Sequence, residues 1–210
     1  MTTRKNNPHR LRTPAALAGV AAAALLVSCG GGNPLSNPDS LQNPPPNTSG
    51  QKLSFRYFQT CINPIFLAQL QINQGGVIST NTCASGGCHD NTTGTGGALR
   101  LVQAATAVDL TNAANTPDVV RLTDMFKNFY SAQGATIIGG ALQSRLLDKP
   151  LLKGVLHGGG LIFPSATDPN VKLMEYWISH PAPQGQDEFS TATYAMFTPA
   201  DPVTGTCNTQ

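Results

Sequence analysis

The chain has 210 residues with 13 basic and 11 acidic side chains, a formal net charge of +2. Four of the basic residues precede Cys29, so the rest of the chain is weakly acidic and gives no support for a nucleic-acid partner. The length that remains after a polar stretch, residues 51–210, suits one domain.

The N-terminus has the pattern of an export signal that ends at a cysteine. A basic leader precedes an apolar run over residues 15–27, which is too short for a stable membrane-spanning helix. Leu26-Val27-Ser28-Cys29 closes the run and resembles the lipobox of bacterial lipoproteins. The resemblance implies a signal peptide over residues 1–28 and a palmitate-type lipid anchor on Cys29, and Gly30 favours the periplasmic side of the outer membrane over the inner membrane. An ordinary signal peptide with an incidental cysteine is the alternative.

A polar segment separates this signal from the rest of the chain. Residues 29–50 are rich in Gly, Pro, Asn and Ser and have few large apolar side chains. Such a composition cannot bury enough surface to offset the entropy of ordering, so it predicts a flexible tether. The folded domain is expected from Gln51 to Gln210.

Two short helices and a loop are predicted at the start of the domain. Apolar residues recur at helical spacing from Phe55 onwards, and Pro64 interrupts them. We expect one helix to end near Cys61 and a second to begin with Asn63 as its cap. The polar, Gly-rich stretch 74–82 predicts a loop.

Later segments predict further helices. Thr116-Pro117-Asp118 is a helix start, and Gly134 ends that helix. Its expected buried face consists of Val119, Leu122, Met125, Phe126, Phe129 and Tyr130. A short helix begins at Ser144, and Asp168-Pro169 begins the last helix, which Pro181 ends. Because alternating strand patterns are missing, the sequence predicts a mainly α domain with long loops.

The stretch NTCASGGCHD, residues 81–90, carries the clearest chemical motif. Export leads to an oxidising compartment, where the four cysteines other than Cys29 can form two disulfides in three pairings. A disulfide between Cys83 and Cys88 would leave the adjacent His89 unexplained. C-x-x-C-H is the signature of covalent haem attachment, and here the spacing is expanded to C-x4-C-H. We therefore expect thioethers at Cys83 and Cys88 and a proximal iron ligand at His89; zinc has no further ligands at suitable spacing.

His157 is the predicted distal ligand. It precedes three glycines, which let a backbone approach a large flat ligand, although a flexible glycine hinge is the alternative. Met125 and Met174 lie on apolar helical faces, where core packing is expected, and are the alternative distal ligands. His180 ends the last helix and is expected on the surface.

Several segments resemble the planctomycete-type cytochrome c domain. Its opening resembles Pro64-Ile65-Phe66, the Cys/Cys-His motif and Gly96-Gly97-Ala98-Leu99-Arg100-Leu101. Its S-x-L segment is similar to Ser144-Arg145-Leu146-Leu147, and its close is similar to Trp177-Ile178-Ser179-His180-Pro181-Ala182. The chain departs from the family in its expanded motif and in having His157 about where the family has Met-Pro-Pro.

The resemblance implies a cytochrome c-like helical domain with one covalent haem c. It implies a His/His variant, which predicts a lower potential than Met ligation. With Cys83 and Cys88 attached to haem, Cys61 and Cys207 remain as a disulfide pair.

The expected function is that of a lipid-anchored monohaem c-type cytochrome. It would carry single electrons between redox proteins of the bacterial envelope, and it would not be an enzyme. One alternative is a haem enzyme or sensor with an open distal site. The other is a disulfide-stapled structural or binding lipoprotein without a cofactor.

Overall fold

A computed structural model describes residues 50–210. The predicted signal peptide, Cys29 and, apart from Gly50, the tether over residues 29–50 lie outside the described residues. No helix within residues 50–210 is long and apolar enough to cross a membrane.

The fold class expected from the sequence is wrong. Helix accounts for only 32% and strand for 11% of the structure, and residues 50–210 contain six short α-helices and two small sheets. This is a mixed arrangement, not a cytochrome c-like helical domain. Frequent Pro and Gly residues explain the difference, because they divide the apolar runs into segments of one to three turns and leave much of the backbone in connections.

The domain begins with one continuous helical run rather than two separate helices. Helix α1 (Phe55–Tyr57), a π-helical turn (Phe58–Ile62) and helix α2 (Asn63–Leu67) follow one another directly. Asn63 is not the N-cap of the second helix as predicted. It lies inside the continuous run, where its N–H donates to the Phe58 carbonyl across the wide turn. A wider turn adjusts the hydrogen bonding just before Pro64, which has no N–H to donate.

A β-hairpin occupies the stretch that was predicted as a loop. Strand β1 (Leu70–Gln74) pairs antiparallel with strand β2 (Val77–Asn81). Gly75 and Gly76 form the turn with φ of +59° and +95°. Two-residue hairpin turns need such left-handed residues, so the Gly-Gly pair was a hairpin signal that the loop prediction missed.

The long helix predicted to end at Gly134 is divided in two. Helix α3 (Pro117–Val120) is followed by helix α4 (Asp124–Gly134), and Thr123 caps α4 by accepting from the Phe126 N–H. Of the expected buried face, Met125 and Phe129 are buried, whereas Val119, Leu122 and Tyr130 are exposed. The second cap breaks the helical phase on which the single face depended.

The remaining elements are short. Helix α5 (Arg145–Asp148) confirms the prediction of a helix beginning at Ser144, and helix α6 (Pro169–Ser179) confirms the Asp168-Pro169 start, since the Asp168 side chain accepts from Asn170 N–H. Two 3₁₀ turns and a second small sheet complete the described chain: Ala141–Gln143, Thr191–Met196, strand β3 (Phe197–Thr198) and strand β4 (Thr206–Cys207).

An aromatic core joins the first helical run to α4 and α6. Trp177 of α6 is fully buried; its ring centre lies 5.4 Å from that of Phe58 and 6.1 Å from that of Phe129. The Trp177 indole N–H donates to the Ser54 carbonyl at 3.0 Å, so its one polar atom is also satisfied. A disulfide between Cys61 and Cys207 connects the first helical run to β4 beside this core.

Candidate haem site

The cysteine loop, residues 82–89, is a compact turn closed by backbone hydrogen bonds. The N–H of His89 donates to the carbonyl of Cys83 at 2.9 Å, which folds the five intervening residues back on themselves. The N–H of Ala84 donates to the Phe66 carbonyl at 3.2 Å and attaches the loop to the end of the first helical run. The expanded spacing therefore still brings the first cysteine close to the histidine backbone.

Both cysteines of the loop carry free, partly buried thiols. Burial, with a smaller effect from neighbouring Cys88, raises the pKa of the Cys83 thiol to about 12. The Asn81 side-chain amide lies 3.9 Å from the sulfur of Cys88. Next to the cysteines, the buried hydroxyls of Thr82 and Ser85 have no hydrogen-bond partner among the described residues, so the loop retains unused polar groups.

His89 is held in one tautomer. Its Nδ1 lies 3.1 Å from the Leu99 carbonyl oxygen, which can only accept, so Nδ1 carries the proton and Nε2 keeps a free lone pair. Burial lowers the pKa of His89 below its ordinary value, which favours the neutral ring that a metal requires. Gly96 packs directly against this ring, and a Cβ there would overlap Nδ1.

The segment after His89 is fixed by its own side chains. Asp90 accepts from the N–H groups of Thr93 at 2.7 Å and Thr92 at 3.0 Å. These bonds lower the pKa of Asp90 to about 2. The Arg100 guanidinium donates to the Gly94 carbonyl, which closes the loop from its far end. The Leu99 carbonyl that orients His89 is therefore part of a constrained segment.

His157 lies on a tight glycine turn. Its Nδ1 is 2.8 Å from the Gly160 carbonyl oxygen, and the Gly160 N–H donates back to the His157 carbonyl, also at 2.8 Å. Gly160 has φ of +75°, a conformation that favours glycine. As in His89, a carbonyl acceptor at Nδ1 leaves Nε2 with a free lone pair.

The structure brings His89 and His157 together from distant parts of the chain. Their ring centres are 6.2 Å apart and their planes differ by 13°. A metal lies ~2.0 Å from an imidazole nitrogen, itself ~1.1 Å from its ring centre, so a metal between two imidazoles separates the centres by roughly 6 Å. The observed centre-to-centre separation of 6.2 Å is close to this value.

No family model, curated protein or solved structure matches this chain. Which metal group this site could hold is therefore inferred from the donor atoms of its own residues. Within residues 50–210, no three or more His, Cys, Asp or Glu side chains are grouped as a metal site. Among these described residues the two thiols are not grouped with the two imidazoles as the four ligands that structural zinc takes, whereas a haem iron needs only two protein ligands because its macrocycle supplies four nitrogens. The residues present, with two free thiols in the same loop as His89, fit a covalently attached haem.

The alternative distal ligands, and the other residues that the sequence analysis singled out, lie outside the pair of imidazoles. Met125 and Met174 are 2% and 1% exposed within the hydrophobic core, which is their ordinary packing role. His180 is exposed at the end of α6, as expected; its Nδ1 is 2.8 Å from the Tyr176 carbonyl, and its ring stacks on Tyr176. Cys61 and Cys207 form the disulfide already described.

Sequence reasoning missed the groups that orient the two imidazoles. These are the carbonyls of Leu99 and Gly160, which carry no side-chain signal, together with the hairpin beside His157. Of these features only the hairpin has a local sequence signal, the Gly75-Gly76 turn.

Proposed function

We propose that this protein is a monohaem c-type cytochrome, in the sense of a covalent haem carrier rather than of a cytochrome c fold. Cys83 and Cys88 form the thioethers, His89 is the proximal ligand and His157 the distal ligand. The observation that carries the proposal is the pair of nearly parallel imidazoles, 6.2 Å apart, each with its Nδ1 at a backbone carbonyl.

The residues around the pair support this role. A carbonyl acceptor at Nδ1 fixes the orientation of each imidazole and makes Nε2 a stronger donor to the metal. Gly96 leaves room for the His89 ring, and Gly160 allows the turn that presents His157. Because His replaces a possible Met as the distal ligand, we expect a potential lower than that of a Met/His cytochrome.

Two protein ligands favour electron transfer over catalysis. Bound haem supplies one-electron chemistry, in which an electron from a reduced partner passes to an oxidised partner and no atom is transferred. His89 and His157 would together hold the iron and would leave no open position for a substrate. A haem enzyme or sensor would need a displaceable His157, and rapid carbon monoxide binding by the reduced protein would reveal it.

The proposed location follows from the N-terminal sequence. A lipid on Cys29 and a tether over residues 29–50 would hold the domain at the bacterial envelope, with the outer membrane favoured, where it meets its redox partners.

The first test is covalent haem. The chain is expressed with a cytochrome c maturation system, denatured, separated on a gel and stained for haem peroxidase activity. We expect a stained band for the wild type and an equally stained band for the control Cys61→Ala/Cys207→Ala. Cys83→Ala and Cys88→Ala each remove one thioether bond, so their bands should be lost or weakened. The stain reports covalent attachment after denaturation, so it does not depend on the native fold. An unstained wild type would leave a structural or binding lipoprotein without cofactor.

A second test addresses the distal ligand. His157→Ala is expected to change the absorption spectrum from six-coordinate low-spin to high-spin while the haem stain persists. Met125→Leu and Met174→Leu are the matched controls and should keep the wild-type spectrum. An unchanged spectrum in His157→Ala would remove His157 from the proposal.

A further inference from the structure

The β1–β2 hairpin touches both loops of the candidate haem site. At one edge, Asn73 of β1 exchanges two backbone hydrogen bonds of 2.9 Å with Leu161, just after the turn that carries His157. The other strand, β2, ends at Asn81, whose side chain contacts the sulfur of Cys88. One small element therefore connects the segments that present the two imidazoles.

The carbonyl that orients His157 belongs to a residue packed on this hairpin. Gly160 lies so close to β1 that a Cβ would overlap the carbonyl oxygen of Asn73. Because Gly160 O is the partner of His157 Nδ1, the ring is oriented through a residue whose position β1 determines. A movement of the turn backbone that carries the ring with it therefore disturbs this contact.

A side chain of the hairpin adds a second attachment. The Gln74 amide donates to the Gly158 carbonyl at 2.7 Å, and the Cγ of the same side chain lies beside Gly160. Gln74 is solvent-exposed, and its side chain is not part of the hydrophobic core. The bond therefore has a local effect on the His157 turn that is separable from the stability of the fold.

We propose that the hairpin is a positioning element for the distal ligand, and that Gln74 is a positioning residue that restrains the His157 turn. This inference rests on the proposed haem function. A displacement of His157 that carries the turn with it would break the Gln74–Gly158 bond, so this bond opposes that movement. Carbon monoxide binds the reduced iron only after His157 leaves, so its binding rate measures how often the turn opens.

The test uses full-length matured protein and four variants. Gln74→Ala removes the side chain, and Gln74→Glu keeps its shape but cannot donate to Gly158. Gln71→Ala, an exposed residue on the same strand, is the matched control, and His157→Ala gives the rate without a distal ligand. Each preparation is first stained for haem, and its absorption spectrum and carbon monoxide binding rate are then measured.

We expect both Gln74 variants to keep the six-coordinate spectrum and to bind carbon monoxide about fivefold faster than wild type, the effect of one hydrogen bond of ordinary net strength. Gln71→Ala should match wild type, and His157→Ala should be fastest. Wild-type rates in both Gln74 variants would overturn the positioning role and leave the haem proposal intact. Equal acceleration in Gln71→Ala would also overturn it, because the effect would then belong to the strand and not to the Gly158 bond. An unstained wild type would overturn the proposed function, and this inference with it.

Discussion

The aromatic core and the candidate haem site are held together by different forces. In the core, Trp177, Phe58 and Phe129 are almost completely buried and contact one another through their rings. At the site, His89 and His157 are partly exposed and are oriented by backbone carbonyls. Apolar burial stabilises the whole fold in proportion to area, whereas a hydrogen-bonded turn determines one position and contributes little to global stability. Substitutions in the two regions should therefore be distinguishable by what they change.

The largest effect is expected in the core. Trp177→Ala should lower the free energy of unfolding by about 4 kcal/mol, because it leaves a large cavity in the core and removes the indole hydrogen bond to the Ser54 carbonyl. Urea unfolding followed by circular dichroism measures the change. Tyr130→Ala, at an exposed position of α4, is the control and should stay within about 0.5 kcal/mol of wild type. A loss below about 1 kcal/mol in Trp177→Ala would contradict the assignment of the core.

The disulfide should behave as part of the core region rather than of the site. It links residues 146 positions apart, so Cys61→Ala/Cys207→Ala should cost about 4 kcal/mol through the entropy of the unfolded chain. The absorption spectrum of the matured protein should remain unchanged under native conditions. The same urea titration, with and without reductant for the wild type, provides the measurement. Equal midpoints for the wild type and the double variant would show that the bond does not constrain the chain.

Gly96→Ala tests the opposite case, in which a single methyl group acts on the site. Because the added Cβ overlaps His89 Nδ1, we expect the free energy of unfolding to fall by about 2 kcal/mol. The displaced His89 should also change the haem absorption spectrum of the matured protein. Gly134→Ala is the control, since a Cβ there meets no atom within 4 Å. A wild-type spectrum in Gly96→Ala would mean that the ring has more space than the structure gives it.

The smallest effect concerns an exposed carboxylate, that of Asp109. Hydrogen bonds from the Thr111 hydroxyl and N–H lower the pKa of Asp109 below its ordinary value. Since the folded state binds the proton less tightly, the stabilisation from Asp109 is present above about pH 4 and is lost as the pH falls through the lowered pKa. Urea midpoints measured from about pH 5 to about pH 2.5 should fall slightly more steeply for wild type than for Asp109→Ala. Parallel pH profiles would contradict the assigned bonds.

Helix α6 was predictable because its signals are local. Asp168 and Pro169 mark its start, and the wide apolar face around Trp177 indicates burial. The long helix before Gly134 was not predictable from periodicity alone, since Thr123 competes as a second cap and changes the phase of the buried face. The mainly α fold class is wrong for a related reason: the polar stretch 74–82 predicts a loop, whereas its Gly-Gly pair forms the turn of a hairpin.

The grouping of two cysteines and a histidine in the cysteine loop follows from the order of residues in the chain. Cys83, Cys88 and His89 are near neighbours in the chain, so any compact turn brings them together. For His157 beside His89, and for Cys61 bonded to Cys207, the sequence left alternatives open, and the tertiary structure brings each pair together. Such contacts depend on how buried surfaces and strand edges fit across the whole domain, and a linear pattern does not record that fit.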